Sequence, residues 1–185
     1  MGIIYINGKD IARDINKSIH YYKKAANQNY AQALINLGQI YLDGIFIKRD
    51  VNKAIQYFSS SIEYAESQYM LGCIFSKGID VKIDFERAIY YFKLAANQNH
   101  VYAQFNLGLI YSVINYKYRD YEKAIYYFTM SANQNYGKAQ YILGSIYFEN
   151  DFVLRDIKKS IYYLSLAANN QICEALVESY TYKYN

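Results

Sequence analysis

Apolar residues recur along this chain at helical spacing, and one arrangement of them returns five times. The segments DINKSIHYYKKAANQN, DVNKAIQYFSSSIE, DFERAIYYFKLAANQN, DYEKAIYYFTMSANQN and DIKKSIYYLSLAANNQ begin at Asp14, Asp50, Asp84, Asp120 and Asp156, at steps of 36, 34, 36 and 36 residues. Counted from the aspartate as zero, positions +4, +5, +7, +8, +11 and +12 are mostly small or apolar, which fills one wide helix face. Each aspartate is placed to cap that helix, its carboxylate accepting backbone N–H groups, a contribution of about 1 kcal/mol. The pattern stops at Asn-Gln-Asn, where Asn29, Asn99 and Asn135 suit a left-handed turn that only glycine tolerates better.

A second helix follows. In the first repeat Ala33, Leu37, Ile40 and Tyr41 share a face, and LGQIY, LGCIF, LGLIY and LGSIY mark the same place in four repeats. This helix is expected to end at Gly44 and Gly78; Asn150 can replace glycine there, and Ile114 is poorly suited. Gly38, Gly72, Gly108 and Gly144 fall inside it, where glycine costs roughly 1 kcal/mol relative to alanine. A cost repeated at one register implies close approach by a neighbouring helix. The pattern predicts an all-α fold, a right-handed α/α superhelix of antiparallel helix pairs. It forms a single repeat domain over 1–185: a half-unit 1–13, then units 14–49, 50–83, 84–119, 120–155 and 156–185.

The unit length, D-x-x-[KR]-[AS]-I-x-Y-[YFL], the Ala-Ala pair, L-G-x-[IL]-[YF] and the G-I-x-[IV] loop resemble the Sel-one-like repeat (SLR) family, relatives of the tetratricopeptide repeat. The resemblance covers all 185 residues. The chain departs from the family where Asn replaces Gly after Ala-Ala, in the shortened second unit and in the third unit's missing loop glycine. The resemblance implies an adaptor that assembles other proteins. Some relatives of the class are described as acting on β-lactams, but those are Cys-rich and secreted, which makes a β-lactamase-like hydrolase the weaker alternative.

The ends break the pattern. Ser179 and Tyr180 stand where Leu-Gly should recur and read as a C-terminal cap. MGIIYING aligns with LGQIYLDG, so either the chain is part of a longer array, whose remainder would be a partner, or Met1 to Gly8 forms a stub helix.

Composition adds limits. Hydrophobic residues make up 53% and charged residues 19%, with no proline, 9 glycines and 25 tyrosines, which favours long helices over strands and tight turns. The net charge of +4 is mild and its cations interleave with acids, so a single-stranded RNA reader is the other weak alternative, and no nucleic acid is expected. No signal peptide, myristoylation signal or membrane-length apolar run is present, so a cytoplasmic protein without membrane insertion is expected.

No catalytic, cofactor or metal residue stands out, and the chain is expected not to be an enzyme. His20 and His100 lack metal-ligand spacing, and Cys73 and Cys173 read as free structural thiols too far apart to pair. Cations recur at +3 (Lys17, Lys53, Arg87, Lys123, Lys159) and before the caps (Arg13, Arg49, Arg119, Arg155); pairing with the aspartate row explains them better than an acidic partner does. What remains is protein binding. Position +6 points away from the packed arc, with +10 one turn on. In the first two repeats these are His20 with Lys24 and Gln56 with Ser60. In the last three they are Tyr90 with Leu94, Tyr126 with Met130 and Tyr162 with Leu166. This apolar strip is the candidate partner-binding face, for a peptide or helix, with Arg87 and Lys93 beside it favouring some acidic character; the alternative is that +10 packs on the next unit and the tyrosines follow the composition bias.

Overall fold

The computed structural model describes residues 15–114, 116–149 and 155–169. The half-unit 1–13, Asp14, Asn150, Cys173, Ser179 and Tyr180 lie outside the described residues. Those described form nine α-helices and no strand: α1 (Ile15–Ala26), α2 (Ala31–Asp43), α3 (Val51–Ser59), α4 (Ala65–Lys77), α5 (Phe85–Asn97), α6 (Val101–Leu109), α7 (Tyr121–Asn133), α8 (Gly137–Glu149) and α9 (Ile157–Asn169). By internal contacts the chain divides into Met1–Gln98, holding α1 to α5, and Asn99–Asn185, holding α6 to α9.

The helices begin and end where the sequence places them, for the expected reasons. Asp50, Asp84, Asp120 and Asp156 each accept the N–H of the residue at +3 at 2.9–3.0 Å, which satisfies one orphan donor of the first turn. Asn29, Asn99 and Asn135 adopt φ of 57°, 61° and 62°, and Gly44 and Gly78 both adopt 65°. The third repeat, which has Ile114 where a loop glycine would stand, takes another route. There α6 runs into a π-helical turn, Ile110–Ile114, followed by a 3-10 turn, Tyr116–Tyr118.

Packing within each half follows one rule. In the first half α2 packs more extensively on α3 than on α1, and α4 more on α5 than on α3; in the second α8 packs more extensively on α9 than on α7, and α6 packs on α7. The helical glycines lie at these contacts. A Cβ built on Gly38 would stand 2.7 Å from the ring of Phe58, on Gly72 2.5 Å from Phe92, on Gly108 2.5 Å from Phe128 and on Gly144 2.6 Å from Leu164. The close approach expected from the glycine row is therefore made by the +8 side chain of the following repeat. Phe58, Phe92 and Phe128 are fully buried there, with Leu37, Leu71, Leu107 and Leu143.

One register is less buried than the pattern suggests. The isoleucines at +5 are only half-buried on α1, α3, α5 and α7, and Ile161 on α9 is 64% exposed.

A buried polar ladder adds to the apolar core. Gln68, Gln104 and Gln140 recur on the second helices and are buried. In the first half Gln98 donates its carboxamide to Gln68 at 3.0 Å and to the Glu63 carbonyl at 3.0 Å. In the second half Gln134 donates to Gln104 at 2.8 Å. The glutamine of the Asn-Gln-Asn turn thus reaches back about one repeat to a glutamine that could not be left dry and unpaired.

Candidate protein-interaction face

At each described repeat junction the same four residues assemble. The aromatic residue of the Leu-Gly motif accepts the N–H of the next capping aspartate at its carbonyl: Tyr41 from Asp50, Phe75 from Asp84, Tyr111 from Asp120 and Tyr147 from Asp156, at 2.8–3.0 Å. Its ring lies nearly parallel to the +7 tyrosine of the next repeat. The pairs Tyr41–Tyr57, Phe75–Tyr91, Tyr111–Tyr127 and Tyr147–Tyr163 have centroids 5.7, 5.8, 5.8 and 6.1 Å apart and interplanar angles of 16°, 11°, 8° and 7°. Over that same ring sits the +3 cation: Lys53, Arg87, Lys123 and Lys159, at 5.0–5.6 Å from the centroid. Each of these cations also pairs with its capping aspartate, at 3.0, 3.1, 2.6 and 3.7 Å.

The cation row is therefore engaged in the junctions, as the pairing explanation requires. Arg87 in particular is ion-paired to Asp84 and stands over Phe75, so the acidic character that it was expected to favour in a partner does not follow. Lys93 is exposed on α5. Of the arginines before the caps, Arg49 bridges to Asp80 of the next loop, at 2.8 and 3.1 Å, rather than to a capping aspartate. Arg155 lies over the ring of Phe148 at 5.1 Å.

The backbone N–H of Lys53 is the main cause that holds the Asp50 carboxyl below its usual range; for Asp120 it is the Lys123 ammonium. A carboxylate whose pKa is depressed on folding stabilises above its unfolded value of about 4, and that stabilisation fades as pH falls through the lower folded value. Acid titration of the melting temperature should show a fall beginning near that value and continuing below it. The double variant Asp50→Asn and Asp120→Asn should flatten this limb, and a limb of unchanged steepness would assign it to other carboxylates.

Beyond the junction the +6 side chains point out. Tyr90, Tyr126 and Tyr162 are 58%, 59% and 57% exposed. Each stands edge-on to its +7 neighbour, with centroids 5.2, 5.1 and 5.2 Å apart and interplanar angles of 69°, 74° and 68°. An exposed tyrosine is thus braced by a ring that is itself stacked on the preceding second helix. His20 takes the same edge-on stance to Tyr21, and Gln56 is exposed at +6 without an aromatic ring. At +10, Leu94, Met130 and Leu166 are half-buried, so part of each side chain packs inward. Tyr90 with Leu94 belongs to the first half of the chain. Tyr126, Met130, Tyr162 and Leu166 belong to the second.

Sequence reasoning passed over a second aromatic group, on α6 and the turn before α8. Tyr102 is half exposed and meets Tyr136 edge-on at 5.4 Å, and Phe105 meets Tyr136 at 5.0 Å. The available signal was the aromatic residue after each Asn-Gln-Asn turn, Tyr30 and Tyr136, with His100 in the third repeat. His100 uses its ring to cap α6, its Nδ1 accepting the Ala103 N–H at 3.2 Å.

Cys73 is a buried free thiol, and burial pushes its pKa up, away from the thiolate that reactivity needs. Among the described residues no group of three or more His, Cys, Asp or Glu could hold a metal, and no helix is long and apolar enough to cross a membrane.

The Sel1 repeat family matches the chain five times, at residues 1–30, 31–63, 65–100, 101–136 and 137–171. After the first match these begin at or near the start of a second helix, in the phase in which the helices pack. No curated protein sequence matches the chain significantly. Among solved structures it is similar to a Sel1 repeat protein from Oxalobacter formigenes, with 29% identity, a TM-score of 0.80, and coverage of 91% of this chain and 70% of that one. It is also similar to a protective antigen with an SLR fold from uropathogenic Escherichia coli, with 26% identity, a TM-score of 0.84, and coverage of 91% of this chain and 37% of the antigen. A Sel1 repeat protein from Klebsiella pneumoniae, 23% identical over 96% of this chain and 87% of its own with a TM-score of 0.58, shares the fold. With its repeats matched from residue 1 to residue 171, the chain belongs to the Sel1 repeat family.

Proposed function

We propose that the chain is a non-catalytic scaffold that binds partner proteins through the exposed +6 tyrosines of its last three repeats. The observation that carries this reading is the recurrence of one half-exposed, ring-braced tyrosine at Tyr90, Tyr126 and Tyr162. Tyrosine is a favoured anchor at protein interfaces because it offers a large amphipathic surface with few torsions to immobilise. Bracing against the +7 ring lowers that entropic cost further. Family membership supports the same reading, since Sel1 repeat proteins are generally interaction scaffolds. The half-buried Leu94, Met130 and Leu166 form the apolar floor beside each tyrosine, and Lys93 is the remaining cation near the first of them.

The test is site-directed photo-crosslinking in cells of the source organism. A photoreactive phenylalanine analogue replaces Tyr126 or Tyr162, and in a control it replaces Lys138 on the exposed side of α8. Partner adducts are expected at 126 and 162 and not at 138. Adducts confined to 138 would move the site to the second helices.

A further inference from the structure

The two loops that lead from a second helix into the next first helix in the first half, Gly44–Arg49 and Gly78–Ile83, are not explained by binding at the tyrosines. They lie side by side, because Arg49 of the first bridges to Asp80 of the second at 2.8 Å. Each carries bulky apolar side chains into solvent. Ile45 is 72% exposed, the most exposed large apolar residue among those described, and Ile83 is 53% exposed. Each also carries a lysine two residues before its capping aspartate, Lys48 and Lys82, and both are exposed.

The charges around these loops are unevenly used. Asp50 is taken by Lys53, Asp80 by Arg49 and Asp84 by Arg87. Asp43 accepts a hydrogen bond from Gln39 at 2.6 Å. Lys48 and Lys82 have no carboxylate within ion-pairing distance among the described residues. Lys48 also lines an open cleft of about 420 Å³ with Tyr41, Arg49, Asn52, Lys53, Asp50 and Asp80.

We propose that this loop edge is a peripheral binding surface for an anionic lipid bilayer. Ile45 and Ile83 would enter the interfacial layer while Lys48 and Lys82 meet lipid phosphates and carboxylates. Aliphatic groups projecting from loops beside unpaired lysines suit a lipid interface. There the lysine stems lie along apolar surface with the ammonium in water. A protein partner is better met by braced aromatic anchors on a helix face, which is what the tyrosines supply. Each lysine near an anionic surface strengthens binding roughly fivefold, an effect lost as salt screens it.

The experiment is co-sedimentation of the full chain with vesicles of phosphatidylcholine alone and of phosphatidylcholine mixed with phosphatidylserine. The chain is expected to sediment with the mixed vesicles, to stay in solution with phosphatidylcholine, and to be released at high salt. Two variants, Ile45→Asp and the pair Lys48→Glu with Lys82→Glu, are each expected to weaken sedimentation about tenfold or more with melting unchanged. A chain that ignores the mixed vesicles, or binds both vesicle types alike, or binds the mixed vesicles undiminished in both variants, overturns the proposal. Because none of these residues is a tyrosine of the +6 row, failure here leaves the protein-binding reading untouched.

Discussion

Phe128→Ala is expected to cost about 3–5 kcal/mol, the range for truncating a fully buried aromatic side chain. Phe128 is fully buried on α7, lies against Gly108 of the preceding helix and meets Phe105 at 5.7 Å. Truncation removes the transfer free energy of the ring and leaves a hole that Gly108, with no side chain, cannot fill. Phe58 and Phe92 hold the equivalent place in the first half, so the loss there should be similar. Denaturant unfolding measures it. A loss under about 1 kcal/mol would show that the junction collapses around the gap and that the aromatic is not what holds it.

Gly108→Leu probes the same contact from the other side. A Cβ alone would stand 2.5 Å from the Phe128 ring, closer than real Cβ contacts come, and leucine adds three further carbons. Overpacking of this kind costs typically 1–3 kcal/mol. The helix-propensity gain from replacing glycine, roughly 1 kcal/mol at most, offsets only part of it. Combining Gly108→Leu with Phe128→Ala should recover stability relative to the sum of the single losses, because the leucine occupies space that the ring vacates. Strict additivity would mean that the two residues do not share one site.

The sequence made the repeat, its caps and the glycine row legible because each is a local signal returned at a fixed interval. Asp84 followed by an apolar face at helical spacing and then Asn99 defines a helix without reference to anything distant. Gly72 announced a close contact, since an intrahelical glycine needs a reason. What the glycine could not announce was its partner, Phe92, because a contact between repeats depends on how helices pair. The Asp-first reading of the unit follows the strongest cap, whereas the more extensive packing joins a second helix to the next first helix.

Gln104 was missed for a different reason. A glutamine reads as a surface residue, and its burial follows only once Gln134 reaches it from the next turn. The recurrence of Gln68, Gln104 and Gln140 at one register was the available clue. Of the candidate face, the outward register of Tyr90, Tyr126 and Tyr162 was legible from angle alone. The ring bracing was not, because it depends on adjacent rotamers. Nor was the engagement of Arg87 over Phe75, which requires the fold of the preceding repeat.

The measurement that bears most directly on the account is partner capture by the triple variant Tyr90→Ala, Tyr126→Ala and Tyr162→Ala, read beside its melting curve. Each substitution removes one edge-to-face contact of about 0.5–1.5 kcal/mol, so melting should fall but remain cooperative. Capture of the partner crosslinked at positions 126 and 162 is expected to weaken about 100-fold or more, as befits the loss of anchor residues. Capture at wild-type affinity by a variant that still melts cooperatively would contradict the claim that these tyrosines bind the partner.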